Sequence, residues 1–346
     1  MRFSVIVPCY NAQRTITRCL DSLFCQTLPR SEYEVIVVDD GSTDDSLRLV
    51  GAYDCLVLGN TRNVGPGVAR NLGASRARGQ VLVFTDSDCI APPDWLAAMG
   101  RHFADPAVQA VWGGYSGSVG DSPLERFALL ECVHRQTALE FHLELSSTSN
   151  FACRRSAFVA VGGFPRYALW GADPEQQPFW GNEDMDIAYL LERAFPGGMR
   201  WDGANGVVHH FRASLGQYLK QQAFFASAAV VSYVKYPGLR TAGSGAGRHS
   251  VMVQQLLLLP LAGPLLAWWW PWAAVAPLLC PGLALACNPG LARLAGQRGE
   301  SRWRIAVLLV ARNLAWAAGI TRGMWWGLGG WLGRNAETPG LEAAKT

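Results

Sequence analysis

The sequence predicts an α/β domain followed by an apolar helical region. Short apolar runs alternate with amphipathic stretches along residues 3–85, a pattern typical of strands and helices that build a parallel sheet. Polar, mostly acidic residues follow three of the predicted strands. The chain is only 16% charged, against about 25% in soluble domains, and no Lys, Arg, Asp or Glu lies between Arg248 and Arg293. That gap excludes an ordinary cytosolic protein along the full length.

The elements of the first domain follow one another at short spacing. The predicted strands are Phe3–Val7, Val35–Val38, Cys55–Leu58, Val81–Thr85 and a short one ending at His209-His210. Apolar periodicity predicts helices at Thr15–Phe24, Gly67–Ser75, Pro123–Leu145, Ile187–Ala194 and Leu215–Tyr236. Because ligands of such sheets bind beyond the carboxyl ends of the strands, we expect a site formed by Pro8–Asn11, Asp39-Asp40 and Asp86–Asp88.

The apolar region predicts a helical membrane hairpin. We expect a domain at residues 1–240, a linker at 241–250, membrane-associated helices at 251–334 and a tail at 335–346. Residues 251–289 are too long for one span of about 20 residues and long enough for two short spans. Pro271 and the surrounding tryptophans, Trp268–Trp272, favour a turn at the membrane interface. A buried pair of soluble helices is the alternative.

Charge is distributed unevenly between the two regions. Residues 1–250 carry 22 basic and 24 acidic residues, whereas residues 251–346 carry eight and three. The slightly acidic first domain excludes a nucleic-acid binder. Basic residues flank the hairpin on both sides, which predicts a multi-pass cell-membrane protein whose first domain is cytoplasmic. Residues 305–332 contain Arg312 and Arg322 and are predicted as a further span, a re-entrant segment or an interfacial helix.

Three acidic motifs could carry chemistry. Asp86-Ser87-Asp88 at a strand end could hold Mg²⁺ or Mn²⁺ together with a hydroxyl-bearing ligand, or be a solvated turn. Asp39-Asp40-Gly41-Ser42 could bind a base and a ribose, or cap a helix. Glu183-Asp184, near Asp186, could supply a general base, or be an acidic first helical turn.

Two basic features accompany these carboxylates. His209-His210 could add a metal ligand or a phosphate contact. Arg70 follows the glycine-rich stretch Asn63–Gly67 and could face a phosphate or a base. This stretch lacks a third glycine and does not follow the first strand, so it is not a dinucleotide-binding fingerprint, and hydride transfer is excluded.

This ordered set of motifs resembles the family 2 glycosyltransferases, which have the Rossmann-like GT-A fold. The matching stretches lie within residues 1–215 and are 4–11, 37–44, 63–71, 86–88 and 182–186. The resemblance implies a nucleotide-sugar donor, UDP- or GDP-linked, and a hexosyl transfer that inverts the anomeric carbon. It also implies dependence on Mg²⁺ or Mn²⁺.

The resemblance implies a role for each motif residue. Nucleotide-sugar binding is expected of Pro8, Tyr10, Asn11, Asp39, Asp40, Asn63, Arg70, Asp86 and Ser87. Metal binding is expected of Asp88 and His209. Asp184 is the expected base, with Glu183 beside it. The donor-sugar and acceptor region is expected at Asn150, Gly163 and Asp186, although the segments of the first two could simply be tight turns.

The expected function is transfer of a single sugar to a lipid or lipid-linked saccharide at the cytoplasmic membrane face, as in cell-envelope polysaccharide synthesis. The processive members of the family carry Q-x-x-R-W after the base, and Gln217–Gln222 lacks that spacing. Single-sugar transfer is therefore favoured, and a processive polysaccharide synthase subunit is an alternative. A catalytically silent membrane scaffold with the same fold is another, although the intact acidic set speaks against it.

Overall fold

The computed structural model describes residues 1–136, 146–165, 167–168, 178–179, 182–236 and 278–332. The chain divides into two compact units. The first unit contains residues 1–117, the described residues from 146 to 210, and residues 326–332. The second contains residues 118–136, 211–236 and 278–325. The predicted linker at 241–250, the tail at 335–346 and residues 251–277 of the predicted hairpin, with Trp268–Trp272, lie outside the described residues. The predicted domain boundaries therefore stay predictions.

The first unit is built on an eight-stranded mixed sheet. Its strands, in chain order, are β1 Phe3–Cys9, β2 Tyr33–Asp39, β3 Leu56–Gly59, β4 Val81–Phe84, β5 Cys89–Ile90, β6 Ala110–Ser118, β7 Phe151–Arg154 and β10 Met199–His209. A separate pair consists of β8 Tyr167–Ala168 and β9 Pro178–Phe179. The sheet order is β3-β2-β1-β4-β7-β6-β10-β5. The four strands predicted from the N-terminal half are confirmed.

The sheet is only half parallel. Strands β3, β2, β1 and β4 run parallel, while β7 is antiparallel to β4 and β6, and β5 is antiparallel to β10. Every residue of β1 and β2 is buried, as expected of central strands covered on both faces. The parallel sheet predicted from the strands within residues 3–85 is confirmed. Antiparallel pairings, which the local pattern did not indicate, extend the sheet beyond β4.

Eleven α-helices lie in the described residues. They are α1 Ile16–Phe24, α2 Ser46–Val50, α3 Pro66–Arg76, α4 Trp95–His102, α5 Pro123–Gln136, α6 Arg155–Ala160, α7 Glu183–Ala194, α8 Leu215–Lys235, α9 Cys280–Ala286, α10 Pro289–Gln297 and α11 Arg302–Leu332. Arg30–Glu32 and Thr148–Asn150 form short 3-10 helices. The predicted helix that begins at Pro123 is described as far as Gln136.

The second unit is helical and has its own core. Leu124 and Phe127 of α5 pack with Tyr218, Leu291 and Leu309 from three other helices. A buried polar group lies beside this core. The carboxylate of Glu131 accepts a 2.7 Å hydrogen bond from the Tyr218 hydroxyl and pairs with the guanidinium of Arg312.

Membrane character is supported by one described helix. Residues 302–325 of α11 are long and apolar enough to cross a membrane, by length and composition alone. This is weak evidence for a membrane region, and it does not support a multi-pass arrangement. The described end of the predicted hairpin is not one continuous span, because α9 stops at Ala286 and a new helix begins at Pro289. Proline is favoured at the first helical position, where no N–H is needed.

Candidate active site

The parallel strands end together at one edge of the first unit's sheet. Cys9 of β1 lies opposite Asp39 of β2, which in turn lies opposite Gly59 of β3. Pro8 is buried within β1, while Tyr10 emerges beyond it with 46% of its surface exposed. The structure therefore places the predicted Pro8–Asn11 and Asp39-Asp40 segments side by side.

Asp40 anchors the loop that leads into α3. Its carboxylate accepts hydrogen bonds from Asn60 Nδ2 at 2.7 Å, from the Val64 amide at 3.1 Å and from the Gly65 amide at 2.8 Å. Asn63 Oδ1 also accepts from the Gly65 amide, at 3.1 Å. Asp40 is 3% exposed, and its hydrogen bonds hold the loop before α3 in place. Its predicted contact with a nucleoside stays a prediction.

The loops after β1 and β2 are joined by reciprocal hydrogen bonds. Asn11 Oδ1 accepts from the Thr43 amide at 2.8 Å, and the Asn11 amide donates to Ser42 Oγ at 3.0 Å. Asp39 accepts from the Ser42 amide. Between them, Gly41 has a φ of +78°, and a Cβ there would lie 2.8 Å from the backbone of Arg62. Only glycine fits this turn without strain.

Arg70 connects two of the predicted acidic motifs. Its guanidinium donates to Asp86 Oδ1 at 2.6 Å and to Glu183 Oε1 at 3.2 Å. Arg70 itself is only 3% exposed, and its guanidinium lies 5.6 Å from the ring centre of Phe164. A buried guanidinium with two carboxylate partners is held firmly. Arg70 thereby fixes the start of α7 against the D-x-D segment.

Asp184 stands next to this group and is held by Thr148. The Thr148 hydroxyl donates a 2.6 Å hydrogen bond to Asp184 Oδ1. Burial raises the pKa of Asp184 to about 7, and the negative charge of Glu183 acts in the same direction, while Arg70 and the Thr148 hydroxyl oppose them. A carboxylate with a pKa near neutrality is suited to accept a proton.

Asp88 and His209 meet because β5 pairs with β10. Cys89 lies opposite His209 in this antiparallel pair, and the His210 amide donates to the Asp88 carbonyl oxygen at 3.0 Å. Asp88 Oδ1 lies 3.4 Å from His209 Nε2 and 3.9 Å from Cys89 Sγ. These three ligand atoms lie within 4.8 Å of one another. Burial raises the pKa of the Cys89 thiol well above its ordinary value. The structure brings Asp88 and His209 together, and their metal binding stays a prediction.

The segment 147–150 holds several parts of the site. The hydroxyl of Tyr115 on β6 lies 2.8 Å from Ser147 Oγ and 2.6 Å from Ser149 Oγ. The ring of Tyr115 meets the imidazole of His209 edge to face, with the ring centres 5.3 Å apart. Thr148, between the two serines, reaches Asp184 on the base side. One short turn thus contacts both Asp184, the predicted base, and Tyr115, which packs against His209.

Two residues predicted to contact sugars are enclosed in the protein. Asn150 is 1% exposed: it accepts from Trp95 Nε1 at 2.8 Å and donates to the carbonyl oxygens of Gly114 and Asn205. Asp186 is fully buried on α7. Neither side chain presents surface to a ligand here. The hydrogen bonds of Asn150 fix the turn. The prediction that Asn150 and Asp186 mark the donor-sugar and acceptor region stays a prediction.

Gly163 lies in a tight turn near Arg70. Gly162 and Gly163 have φ values of +79° and +72°. The side chain of Asn71 holds the turn: Asn71 Oδ1 accepts from the Phe164 amide at 2.9 Å, and Asn71 Nδ2 donates to the Phe164 carbonyl oxygen at 2.8 Å. Ser87 is half-buried between Asp86 and Asp88, and its predicted part in nucleotide-sugar binding stays a prediction.

Comparisons with known proteins support the predicted resemblance to glycosyltransferases. Residues 4–162 match the model of glycosyl transferase family 2. The chain is similar to the glycosyltransferase AglE of Haloferax volcanii, with 30% identity over 54% of this chain and 62% of that protein. It is also similar to the pre-mycofactocin glycosyltransferase of Mycobacterium tuberculosis, with 28% identity over 92% of this chain and 62% of that protein. The chain thus spans about three fifths of these relatives.

A solved structure supports the fold. The mannosyltransferase PcManGT of Pyrobaculum calidifontis, in complex with GDP-Man and Mn²⁺, superposes with a TM-score of 0.53 at 23% identity, covering 94% of this chain and 87% of that one. The mixed sheet is therefore GT-A-like. The match of residues 4–162 to glycosyl transferase family 2 supports the predicted resemblance over this part of the chain.

Several contacts of the site were not predicted. Thr148, Tyr115 and Asn71 were not assigned a role, and each reaches its partner across a long stretch of chain. The polar run Ser146–Asn150 was the available signal, since polar residues before a buried strand require partners. It indicated a turn but not which residues the turn would bind.

Proposed function

We propose that the protein is an inverting glycosyltransferase that moves a single hexose from a UDP- or GDP-linked donor to a hydroxyl of a lipid or lipid-linked saccharide. One observation carries this proposal: Arg70 joins Asp86 of the D-x-D segment to Glu183, the neighbour of Asp184. The donor-side motif and the predicted base therefore share one charge cluster. The names of the two relatives describe glycosyl transfer.

In this mechanism Asp184 accepts the acceptor's hydroxyl proton while the oxygen attacks the anomeric carbon. The bond to the donor oxygen breaks on the opposite face, and the nucleoside diphosphate leaves with the electron pair. One displacement inverts the configuration. Thr148 keeps Asp184 Oδ1 in place, and a pKa of about 7 leaves a substantial fraction of the base ionised at neutral pH.

The donor would lie at the edge formed by β1, β2 and β4. The exposed ring of Tyr10 is available to stack on the base, and the loops joined by Asn11 and Asp39 would surround the nucleoside. Asn63, Ser87 and Asp86 would line the path towards the diphosphate. Arg70, already committed to Asp86 and Glu183, would act mainly through its positive charge.

Asp88 and His209 fit a divalent cation. Carboxylate oxygen suits Mg²⁺ and Mn²⁺, whereas imidazole suits transition metals, so the pair favours Mn²⁺ over Mg²⁺. The similar solved structure contains Mn²⁺ together with GDP-Man. Such an ion, when bound, stabilises the negative charge that develops on the leaving diphosphate.

We also propose that transfer takes place at the cytoplasmic face of a membrane. The charge-free run between Arg248 and Arg293 and the apolar helix α11 support this location. It would bring a lipid-linked acceptor to the enzyme without diffusion through water. Synthesis of cell-envelope polysaccharide would provide such acceptors.

The test is a donor screen with membranes that contain the full chain. A panel of UDP- and GDP-sugars is supplied with Mn²⁺ or Mg²⁺ and polyprenyl phosphate, and nucleoside diphosphate release is measured. Asp184→Asn membranes are the matched control. We expect release from one donor with the wild type and none with the variant. Equal release from both would contradict the base assignment, and silence with every donor would favour the non-catalytic scaffold.

A further inference from the structure

Helix α11 exposes apolar side chains along one face. Trp303, Val307, Leu314 and Trp325 are 63%, 48%, 47% and 71% exposed. Their spacing of four, seven and eleven residues brings them to one side of a helix of 3.6 residues per turn. We call these four residues the apolar stripe. Thr321 is also exposed on this face, between Leu314 and Trp325. A largely apolar exposed surface of this kind marks an interaction site.

The opposite face of α11 is buried and partly polar. Arg312, 7% exposed, pairs with Glu131 of α5 and lies 4.5 Å from the ring centre of Trp316. Trp316 Nε1 donates to Gln222 Oε1 of α8 at 2.9 Å. A surface helix in water normally turns its apolar side inward and its charges outward. Helix α11 departs from this arrangement in part: Arg312 and Asn313 are buried on the same side as the core residue Leu309, while large apolar side chains are exposed. Its other three arginines, Arg302, Arg304 and Arg322, are exposed.

Close packing against α8 explains how the polar face is buried. A Cβ on Gly319 would lie 2.2 Å from the carbonyl oxygen of Ala223, and one on Gly323 would lie 2.7 Å from that of Ser227. Both helices thus present small residues four positions apart where they meet, which lets the backbones approach closely. This packing is common between helices in lipid, where burial of apolar surface does not drive association.

We propose that the apolar stripe lies against the acyl chains of a lipid bilayer. Trp303 and Trp325 bracket the stripe and are about 33 Å apart along the helix axis at 1.5 Å per residue, close to the roughly 30 Å of a bilayer's hydrocarbon core. Tryptophan prefers the interface of such a core. Arg302 and Arg304 are exposed at one end, and α11 contains no acidic residue, so the helix is complementary to anionic headgroups.

A pocket at the arginine end extends the same surface. It has a volume of about 420 Å³ and is lined mainly by Pro123, Leu124, Leu215, Leu308 and the stripe residues Trp303 and Val307. Arg304 also lines it. Its apolar lining would accommodate one lipid chain, with the guanidinium near a lipid phosphate. A second copy of the protein is less suitable than lipid, because it would bring arginines against arginines in a parallel arrangement.

This inference deepens the proposed membrane location by naming the surface that contacts lipid, and it is tested without transferase activity. The photoreactive residue p-benzoylphenylalanine replaces Leu314 or Trp325 in the full chain, reconstituted in vesicles of phosphatidylcholine and phosphatidylglycerol. Ser75, exposed on α3 of the first unit, is the control position. After irradiation, adducts are identified by mass spectrometry.

We expect lipid adducts at both stripe positions and none at position 75, with melting temperatures like that of the wild type. Absence of lipid adducts at positions 314 and 325 would overturn the inference, as would equal labelling at position 75. Cross-links from the stripe to a second copy, or to residues 251–277 of the same chain, would also overturn it by identifying another occupant. If no donor released nucleoside diphosphate but lipid adducts formed at the stripe, the proposed transferase activity would be wrong and the proposed lipid contact would stand.

Discussion

The hydroxyl of Thr148 donates a 2.6 Å hydrogen bond to Oδ1 of Asp184. The bond favours the ionised carboxylate and so opposes the effects of burial and of Glu183, which raise the pKa of Asp184 to about 7. Arg70 of α3 also favours the ionised form, and Asp86 disfavours it. Thr148 is therefore positioned to determine how much of the base is active at neutral pH.

Replacing this hydroxyl should move the pH dependence of transfer. In Thr148→Val, which keeps the side-chain shape, we expect the acidic limb of kcat/KM to shift upward by roughly one pH unit, the value of a hydrogen bond to a charged group. Thr148→Ser should restore the wild-type limb. If the acidic limb of the pH profile of kcat/KM were the same in all three proteins, the hydroxyl would have no effect on the pKa of Asp184.

Asp184→Asn should remove turnover without unfolding the protein. Loss of a general base costs about 10²–10⁴-fold in rate. Because the folded-state pKa of Asp184 is raised above its ordinary value, the wild type loses stability as pH rises from about 4 through about 7. The amide does not ionise, so the variant should melt at an equal or higher temperature than the wild type at pH 8. If the variant melted at a lower temperature than the wild type at pH 8, destabilisation of the fold would account for the lost activity.

Metal dependence should reside in Asp88 and His209. Chelation with EDTA should abolish transfer and added Mn²⁺ should restore it. We expect Asp88→Asn and His209→Gln to raise the Mn²⁺ concentration for half-maximal activity by at least about tenfold. His210→Gln is the matched control, since His210 lies outside the ligand group. If the two histidine variants behave alike, His209 is not the ligand.

Removing the Arg70 guanidinium should destabilise the first unit and suppress the base. Arg70→Met leaves Asp86 and Glu183 without their shared partner, at a cost of about 3 kcal/mol in the free energy of unfolding. It also removes a charge that lowers the pKa of Asp184, so remaining activity should require higher pH. Urea unfolding and a pH–rate profile measure the two effects. Arg14→Met, on an exposed residue, should change neither.

The N-terminal half of the fold could be predicted because its strands are simple in sequence. β1 and β2 are buried on both faces and therefore read as unbroken apolar runs. The helix that follows β1, α1, also has strong apolar periodicity, with Ile16, Leu20 and Leu23 buried on one face. The candidate residues Asp86, Asp88 and Asp184 could be predicted because they lie at the ends of regular elements: the first two follow β4, and Asp184 is in the first turn of α7.

The second half could not be predicted from local patterns. β6 contains Gly113 and Gly114 and is buried only in part, so it has the signature of neither a central nor an alternating strand. The meeting of Asp88 with His209 depends on a two-residue strand, β5, which is too short to give a pattern. The partner of Arg312 is Glu131, far away in the chain. Pairings of this kind are decided by tertiary packing.

In the turn at 147–150, odd-numbered and even-numbered residues have different partners. Ser147 and Ser149 face the hydroxyl of Tyr115, whereas Thr148 faces Asp184 and Asn150 faces Trp95. Inserting or deleting one residue here would shift every later side chain of the turn to the wrong side. Several hydrogen bonds would then be lost together, whereas a single substitution removes those of one side chain. Natural and laboratory evolution should therefore tolerate changes of residue in this turn far more readily than changes of its length.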